Sequence, residues 1–231
     1  MNRPLIIAHR GFSGRYPENT LVAVRGAIRA GADMVEVDVQ ETSDGEIVAF
    51  HDERLRRLCG VPGRVGATTL ARLHALNPLV PTLAEVLRMC RGRVGVLVEI
   101  KRADPLKVAA VIKQCRMEDE TIVFSFSVKQ IRALTGSGLR LFGLVEFGLR
   151  FGVPVAGMGL SRRLMRSRRV VDRLHGRGLE VFVWAVDDPA EMARLAEWGV
   201  DGIITNYPDV CGVVMGRRPV GIDPTGMANV I

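Results

Sequence analysis

Lysine is nearly absent from this 231-residue chain, occurring only at positions 101, 107, 113 and 129, yet the formal net charge is +7. Arginine therefore carries the positive charge, a balance that favours anionic partners in general and phosphate-bearing small molecules in particular. Long apolar runs are missing too: none is long enough to span a bilayer, which excludes stable membrane insertion through a helix. Cysteine is scarce. Cys59, Cys90, Cys115 and Cys211 lie far apart with no C-x-x-C spacing, which argues against a zinc site and suits reduced thiols in a cytoplasm. No secretory segment is expected ahead of a first strand that begins near Pro4. Aromatic residues are few and none interleaves with Arg162, Arg166, Arg169 and Arg173, so no nucleic-acid partner is expected. The i, i+4, i+7, i+11 spacing of those arginines predicts one helical stripe, read as a solvated outer face. A glycine-rich phosphate loop is also missing after the first strand, and Gly136-Ser-Gly138 and Gly157-Met-Gly159 lack the third glycine of one.

What is present is alternation. Hydrophobic residues make up 48% of the chain, ample for a large core, and the length suits a single domain. Strand-like segments at 5–9, 34–39, 94–100, 121–125, 139–145, 153–159, 179–185 and 201–205 alternate with helix-like ones, which points to βα units. Eight units predict an α/β fold, a single (β/α)8 TIM barrel over residues 1–211, with 212–231 a tail of unassigned role. A doubly wound open sheet is the competing topology. Residues 46–50 form the return arm of a β-hairpin excursion after strand 2. Asn19 is placed to cap the first helix, which stops at Gly31. Thr82 to Glu85 reads as a capping box, and Asp188-Pro189-Ala-Glu191 as a second, ahead of a helix ended by Gly199. Between 52 and 81 one short helical stretch, 70–76, is expected.

The ends of the predicted strands carry the chemistry. In a barrel the C-terminal strand ends converge on one mouth. His9 ends strand 1, Glu36 and Asp38 end strand 2, Glu99 and Lys101 end strand 3, and Trp184 ends strand 7. Glu36 and Asp38 are two apart and share a face. Asp44-Gly45 predicts a two-residue hairpin turn that pairs Ser43 with Glu46 and, counted outward, Asp38 with His51. A bulge there would slip the register by one and move His51 off that face.

Three neighbouring carboxylates do not all ionise without a compensating cation. Oxygen donors favour Mg²⁺ or Ca²⁺ over zinc. Such an ion would draw charge from a phosphoryl oxygen, Arg10 and Lys101 would neutralise others, and His9 and His51 would exchange protons as acid and base. The sum specifies metal-assisted cleavage of a phosphate ester. His74 and His175, inside helix-like segments, read as structural, as does Glu146.

His9-Arg10-Gly11, Pro17-Glu18-Asn19-Thr20, Glu36-Val37-Asp38, His51-Asp52 and Val98-Glu99-Ile100-Lys101 together resemble the glycerophosphodiester phosphodiesterase family. Ser125-Phe126, Val183-Trp184 and the run from Gly199 to Asp209 extend the likeness over about residues 5 to 210. The resemblance implies a TIM barrel that hydrolyses small-molecule glycerophosphodiesters to sn-glycerol 3-phosphate and an alcohol with a divalent cation. It implies Glu36, Asp38 and Glu99 as metal ligands, His9 and His51 as the catalytic pair, Arg10 and Lys101 for phosphate, and Trp184 for the glycerol side. It implies attack by the substrate's glycerol hydroxyl and a cyclic phosphate that water opens. The segment between His51-Asp52 and the Glu99 strand is shorter than in many bacterial relatives, which leaves the preferred leaving alcohol open. Two alternatives stand beside this reading: a lysophospholipase D-type or sphingomyelinase D-like enzyme on the same barrel, and a non-catalytic anion-binding barrel. Nothing in the sequence fixes the oligomeric state.

Overall fold

The computed structural model describes residues 3–147 and 152–217. Its strands are β1 (Leu5–Ala8), β2 (Met34–Glu41), β3 (Ile47–Ala49), β4 (Gly95–Arg102), β5 (Thr121–Ser125), β6 (Arg140–Val145), β7 (Gly157–Ser161), β8 (Glu180–Trp184) and β9 (Gly202–Thr205). All but β3 pair in parallel around a ring, and β9 and β2 both pair with β1, closing a (β/α)8 barrel. β3 pairs antiparallel with the end of β2 and stands outside the ring. The helices are α1 (Leu21–Arg29), α2 (Arg56–Cys59), α3 (Leu70–Leu76), α4 (Leu83–Cys90), α5 (Pro105–Gln114), α6 (Val128–Ala133), α7 (Arg169–His175), α8 (Pro189–Trp198) and α9 (Pro208–Val214). None is long and apolar enough to cross a membrane.

Strand periodicity sorts the side chains into layers. On β2, Val35, Val37 and Val39 join Val96, Val98 and Ile100 of β4 in a cluster with residues of α1, α4 and α5. The other face of the strands fills the barrel with Ile7, Met34, Leu97, Ile122, Phe124, Phe142, Phe182 and Ile204. Continuing up that inner face, Met34 gives way to Glu36 and Asp38, and Leu97 to Glu99 and Lys101. The lumen thus changes from hydrocarbon to ions along two adjacent strands, and the ions lie at the C-terminal mouth. Gly157 leaves room for the lumen rings: a Cβ there would come within 2.4 Å of Phe142.

Several local expectations shift. The sixth barrel strand spans Gly157–Ser161 rather than 153–159, because Pro154 has no N–H for the ladder and the hydrogen bond from Ala156 N to Leu141 O (2.9 Å) opens the pairing. The arginine stripe does not form. Residues Arg162–Leu164 make a 3₁₀ turn in which Arg162 pairs with Glu191 at 3.2 Å, and α7 starts only at Arg169. Thr20, not Asn19, caps α1, its hydroxyl accepting from Ala23 N at 3.2 Å. The capping box of α4 forms as read, with Thr82 N donating to Glu85 at 2.8 Å. Asp188 caps α8, but the Glu191 carboxylate turns to Arg162 and Arg194 instead of reciprocating. α9 runs past residue 211, and Arg217 beyond it pairs with Asp33 at 2.6 Å.

The segment between β3 and α4 has a core of its own. Val48, Phe50, Leu55, Val65, Leu73 and Val80 are all buried together, apart from the barrel clusters. α3 covers the predicted 70–76; α2 and the turn at Val65–Ala67 lacked a periodic signal.

Candidate active site

Glu36, Asp38 and Glu99 converge at the mouth, with one carboxylate oxygen of each within 4.8 Å of the others. Asp38 and Glu99 are register partners in the β2–β4 ladder, so the backbone itself sets two of the three side by side. All three are buried, Glu36 and Asp38 to 1% exposure. Glu36 Oε2 accepts from Arg10 N at 2.8 Å, and Asp38 Oδ2 from Asn19 Nδ2 at 2.9 Å. Glu36 Oε1, Asp38 Oδ1 and Glu99 Oε1 have no hydrogen bond, although Lys101 Nζ lies 3.3 Å from the second and 2.5 Å from the third. Burial, reinforced by Asp38, raises Glu36 well above the carboxylate range and Glu99 to about 7. Burial acts on Asp38 in the same sense, but Lys101, Arg10 and His51 outweigh it and hold that group low. Three buried carboxylates, each with one oxygen outside any hydrogen bond and two of them resisting ionisation, fit a hard divalent cation.

His9 follows β1 directly, and its N–H continues the ladder to Thr205 O at 2.8 Å. Its Nε2 lies 4.0 Å from Glu36 Oε2. Its Nδ1 lies 2.8 Å from Asn206 Oδ1. The Asn206 amide is oriented by Asp187, which accepts from its Nδ2 at 2.6 Å and from its backbone N at 2.8 Å. The amide oxygen must therefore face His9 and accept, so Nδ1 carries the proton and the Nε2 lone pair faces the acidic cluster. Burial, then Arg10, lowers the His9 pKa below 6.5.

His51 arrives by a different path from the one predicted. The β2–β3 register pairs Val39 with Ala49 and Gln40 with Val48. Counted outward, that sets Asp38 opposite Phe50, whose N donates to Asp38 O at 2.9 Å, and not opposite His51. The loop holds three residues, 43–45, with Gly45 at φ +87° and Thr42 N bonded to Glu46 O. The Thr42 hydroxyl bonds Asp44 at 2.6 Å, while Asp44 also accepts from Leu70 N at 3.1 Å, so Asp44 ties down the following segment instead of sitting in a two-residue turn. Beyond the last rung the chain bends, and His51 still comes near enough for its charge to act on Asp38.

Its ring is held by a carboxylate. His51 Nδ1 lies 2.7 Å from Asp52 Oδ1. Arg57 donates to both Asp52 oxygens and, through its terminal nitrogens, to both oxygens of Glu18 at 2.8 and 2.7 Å. Arg57 is the first cause of an Asp52 pKa lowered to about 2. An ionised Asp52 only accepts, so Nδ1 of His51 carries a proton as well. Glu18 closes the circuit by accepting from Arg10 at 3.1 Å, and Arg10 Nε lies 3.1 Å from Asp38 Oδ2.

All the site residues expected from the sequence thus gather here, but Arg10 and Lys101 spend their charge on carboxylates. Arg10 adopts φ +54°, which aims its N–H at Glu36. Trp184 stands across the mouth, edge-on to Phe126 with centroids 5.6 Å apart, and Lys101 Nζ lies 5.9 Å from the Phe126 ring. His74 and His175 are structural, bonded to Val80 O and Asp201. Sequence reasoning gave Asn19 only a helix cap and assigned no role to Asp52, Arg57, Asp187 or Asn206. Asp52 and Asn206 adjoin a histidine and a strand end, signals that point to partners for an imidazole.

The sequence profile of the glycerophosphoryl diester phosphodiesterase family matches residues 9–135 and 139–210. The chain belongs to that family. A glycerophosphodiester phosphodiesterase of Caldanaerobacter subterraneus is 31% identical over 90% of this chain and 96% of its own. The crystal structure of a glycerophosphodiester phosphodiesterase from Agrobacterium tumefaciens superposes with a TM-score of 0.82 at 30% identity, covering 91% of this chain and 99% of that one. A phosphodiesterase from Oleispira antarctica, solved with the product sn-glycerol-3-phosphate, superposes with a TM-score of 0.83 at 25% identity over 93% and 97% of the two chains.

Proposed function

We propose that this family member is a metal-dependent glycerophosphodiester phosphodiesterase, releasing sn-glycerol 3-phosphate and an alcohol, with His9 and His51 as its acid–base pair. The observation that carries the reading is a cluster of three buried carboxylates approached by two imidazoles, each with Nδ1 committed elsewhere. Glu36, Asp38 and Glu99 are the residues to hold a cation, and their oxygen donors suit Mg²⁺ or Ca²⁺. Bound there, the ion supplies charge neutralisation at a phosphoryl oxygen.

The remaining work falls to the chain. His9, with a neutral amide behind it and a lowered pKa, is the base that takes the proton of the attacking glycerol hydroxyl at Nε2. His51, backed by an ionised carboxylate that stabilises an imidazolium, is the acid that protonates the leaving alkoxide. Their roles reverse when water opens the cyclic phosphate. Arg10 and Lys101 meet the phosphate from beside the acids, and Trp184 with Phe126 walls the carbon side of the substrate. We read the chain as one barrel domain over 1–211 whose last helix extends further. We place it in the cytoplasm, in glycerophosphodiester and lipid head-group turnover, on the support of four free thiols.

The test is release of the head-group alcohol from a panel that includes glycerophosphocholine and its acylated lyso form, with and without Mg²⁺ or Ca²⁺, glycerol 3-phosphate being the co-product of the first and its acyl ester of the second. Metal-dependent release from the deacylated substrates is expected. Release from acylated substrates alone would move the protein to the lysophospholipase D reading, and no release from any would end both.

A further inference from the structure

Gln40 lies two residues beyond Asp38 and four beyond Glu36, on the same face of β2, and is 1% exposed. The antiparallel ladder opposite it ends when Phe50 N donates to Asp38 O, and residues 50–52 follow with no strand pairing. In place of the ladder, the Gln40 amide nitrogen lies 3.1 Å from Phe50 O and 3.1 Å from His51 O, and also bonds Asp52 O. Three consecutive carbonyls turned towards one buried amide define the bend from which the His51 ring departs. Asp52 fixes the tilt of that ring through Nδ1; past the Phe50–Asp38 bond, Gln40 is what ties the backbone of the bend, among the described residues, to the strand that carries Glu36 and Asp38.

We propose that Gln40 is a positioning residue: it sets where the His51 imidazole stands relative to the acidic cluster. The chemistry requires a neutral donor long enough to cross from β2. Glutamate is the same size but would set oxygen against three carbonyl oxygens, asparagine is a methylene short, and methionine fills the space without donating. This inference rests on the reading in which His51 is an acid–base group.

The test is a double-mutant cycle on the full chain with Gln40→Met, His51→Ala and the pair, following glycerol 3-phosphate release with metal at saturation. Gln40→Met is expected to lower kcat by roughly 10- to 10²-fold, the cost of a displaced catalytic group, with KM within about twofold. In the His51→Ala background the same change should cost nothing further. Histidine-labelled NMR should show the His51 ring signals moved in Gln40→Met while those of His74 and His175 stay. Equal losses in both backgrounds, or unmoved His51 signals, overturn the proposal. Near wild-type turnover in His51→Ala overturns the functional reading instead, and the NMR comparison then decides the placement by itself. If Gln40→Met does not fold by circular dichroism, the isosteric Gln40→Glu carries the same cycle.

Discussion

His9 and His51 approach one acidic cluster from regions built on different principles. His9 belongs to the barrel: its backbone is a rung between β1 and β9, and its ring rests on a neutral amide fixed by Asp187. His51 belongs to the excursion between β2 and α4, where side-chain bonds replace the ladder and the ring rests on a carboxylate about a quarter exposed. Closed parallel pairing makes the first position rigid at no cost in side chains. The second must be assembled from Gln40, Asp52, Arg57 and Glu18. In the proposed mechanism one proton-transfer group then stands on the barrel ladder and the other on a segment held by side-chain bonds.

The largest effects should ignore that difference. His9→Ala and His51→Ala are each expected to cut turnover by on the order of 10²–10⁴ with the fold intact; steady-state kinetics beside circular dichroism check this, and near-normal activity in either removes that residue from the mechanism. The next effect should expose the difference. Asp52→Asn replaces an ionised acceptor with an amide, so the His51 imidazolium loses its counter-charge, and kcat should fall by on the order of 10². Asn206→Ala removes only an uncharged acceptor from His9 and should cost roughly tenfold. Equal losses in the two variants would erase the proposed division into base and acid.

The rim was far more legible in the sequence than the excursion. Glu36 and Asp38 were placed on one face by strand alternation alone, and Glu99 and Lys101 by the ends of the strands, because parallel pairing in a barrel leaves few registers open. The hairpin was legible as a hairpin but not in its register. Asp-Gly is a strong turn signal, yet the Asp44 side chain is taken by Thr42 and by Leu70 N, and the second of these is a tertiary contact that no local pattern encodes. Asn19 has the residue type of a cap but not the job: its φ of +55° turns the side chain into the site to hold Asp38 from two sides. Partners of partners, such as Arg57 and Asp187, are set by tertiary placement and had no signal beyond charge.

The two regions should also respond to pH with opposite sign. At the rim, Glu99 is raised to about 7 and Glu36 well above its ordinary value, so the folded protein keeps protons that the unfolded chain releases near pH 4 to 5. Without metal, the contribution of both to stability is therefore fullest below that range and declines as pH rises, that of Glu99 through about 7. A cation displaces those protons, so the rise in Tm on adding Mg²⁺ or Ca²⁺ should be several degrees and larger at pH 8 than at pH 5.5. Asp52 runs the other way: lowered to about 2, its pairing persists above its unfolded pKa and is lost only as pH falls towards 2. Thermal melts at the two pH values, with metal and with chelator, check the rim; a metal shift independent of pH would detach the cation from Glu99.

The smallest effect tests whether the excursion is held separately. Arg57 is nearly half exposed, so its ion pairs with Glu18 and Asp52 are solvent-screened, and Arg57→Ala should change global stability by no more than about 1 kcal/mol. Locally the change is larger in kind, since Asp52 and Glu18 both lose their shared partner. Hydrogen exchange should quicken for the amides of α2 and the bend at 51–52, while those of β1, β2 and β4 keep their protection. kcat should fall a few-fold, with Asp52 still adjacent to His51 but no longer pinned. Faster exchange spreading into β1 and β2 would mean that barrel and excursion open as one unit, and the contrast between the two histidines would then be one of chemistry alone.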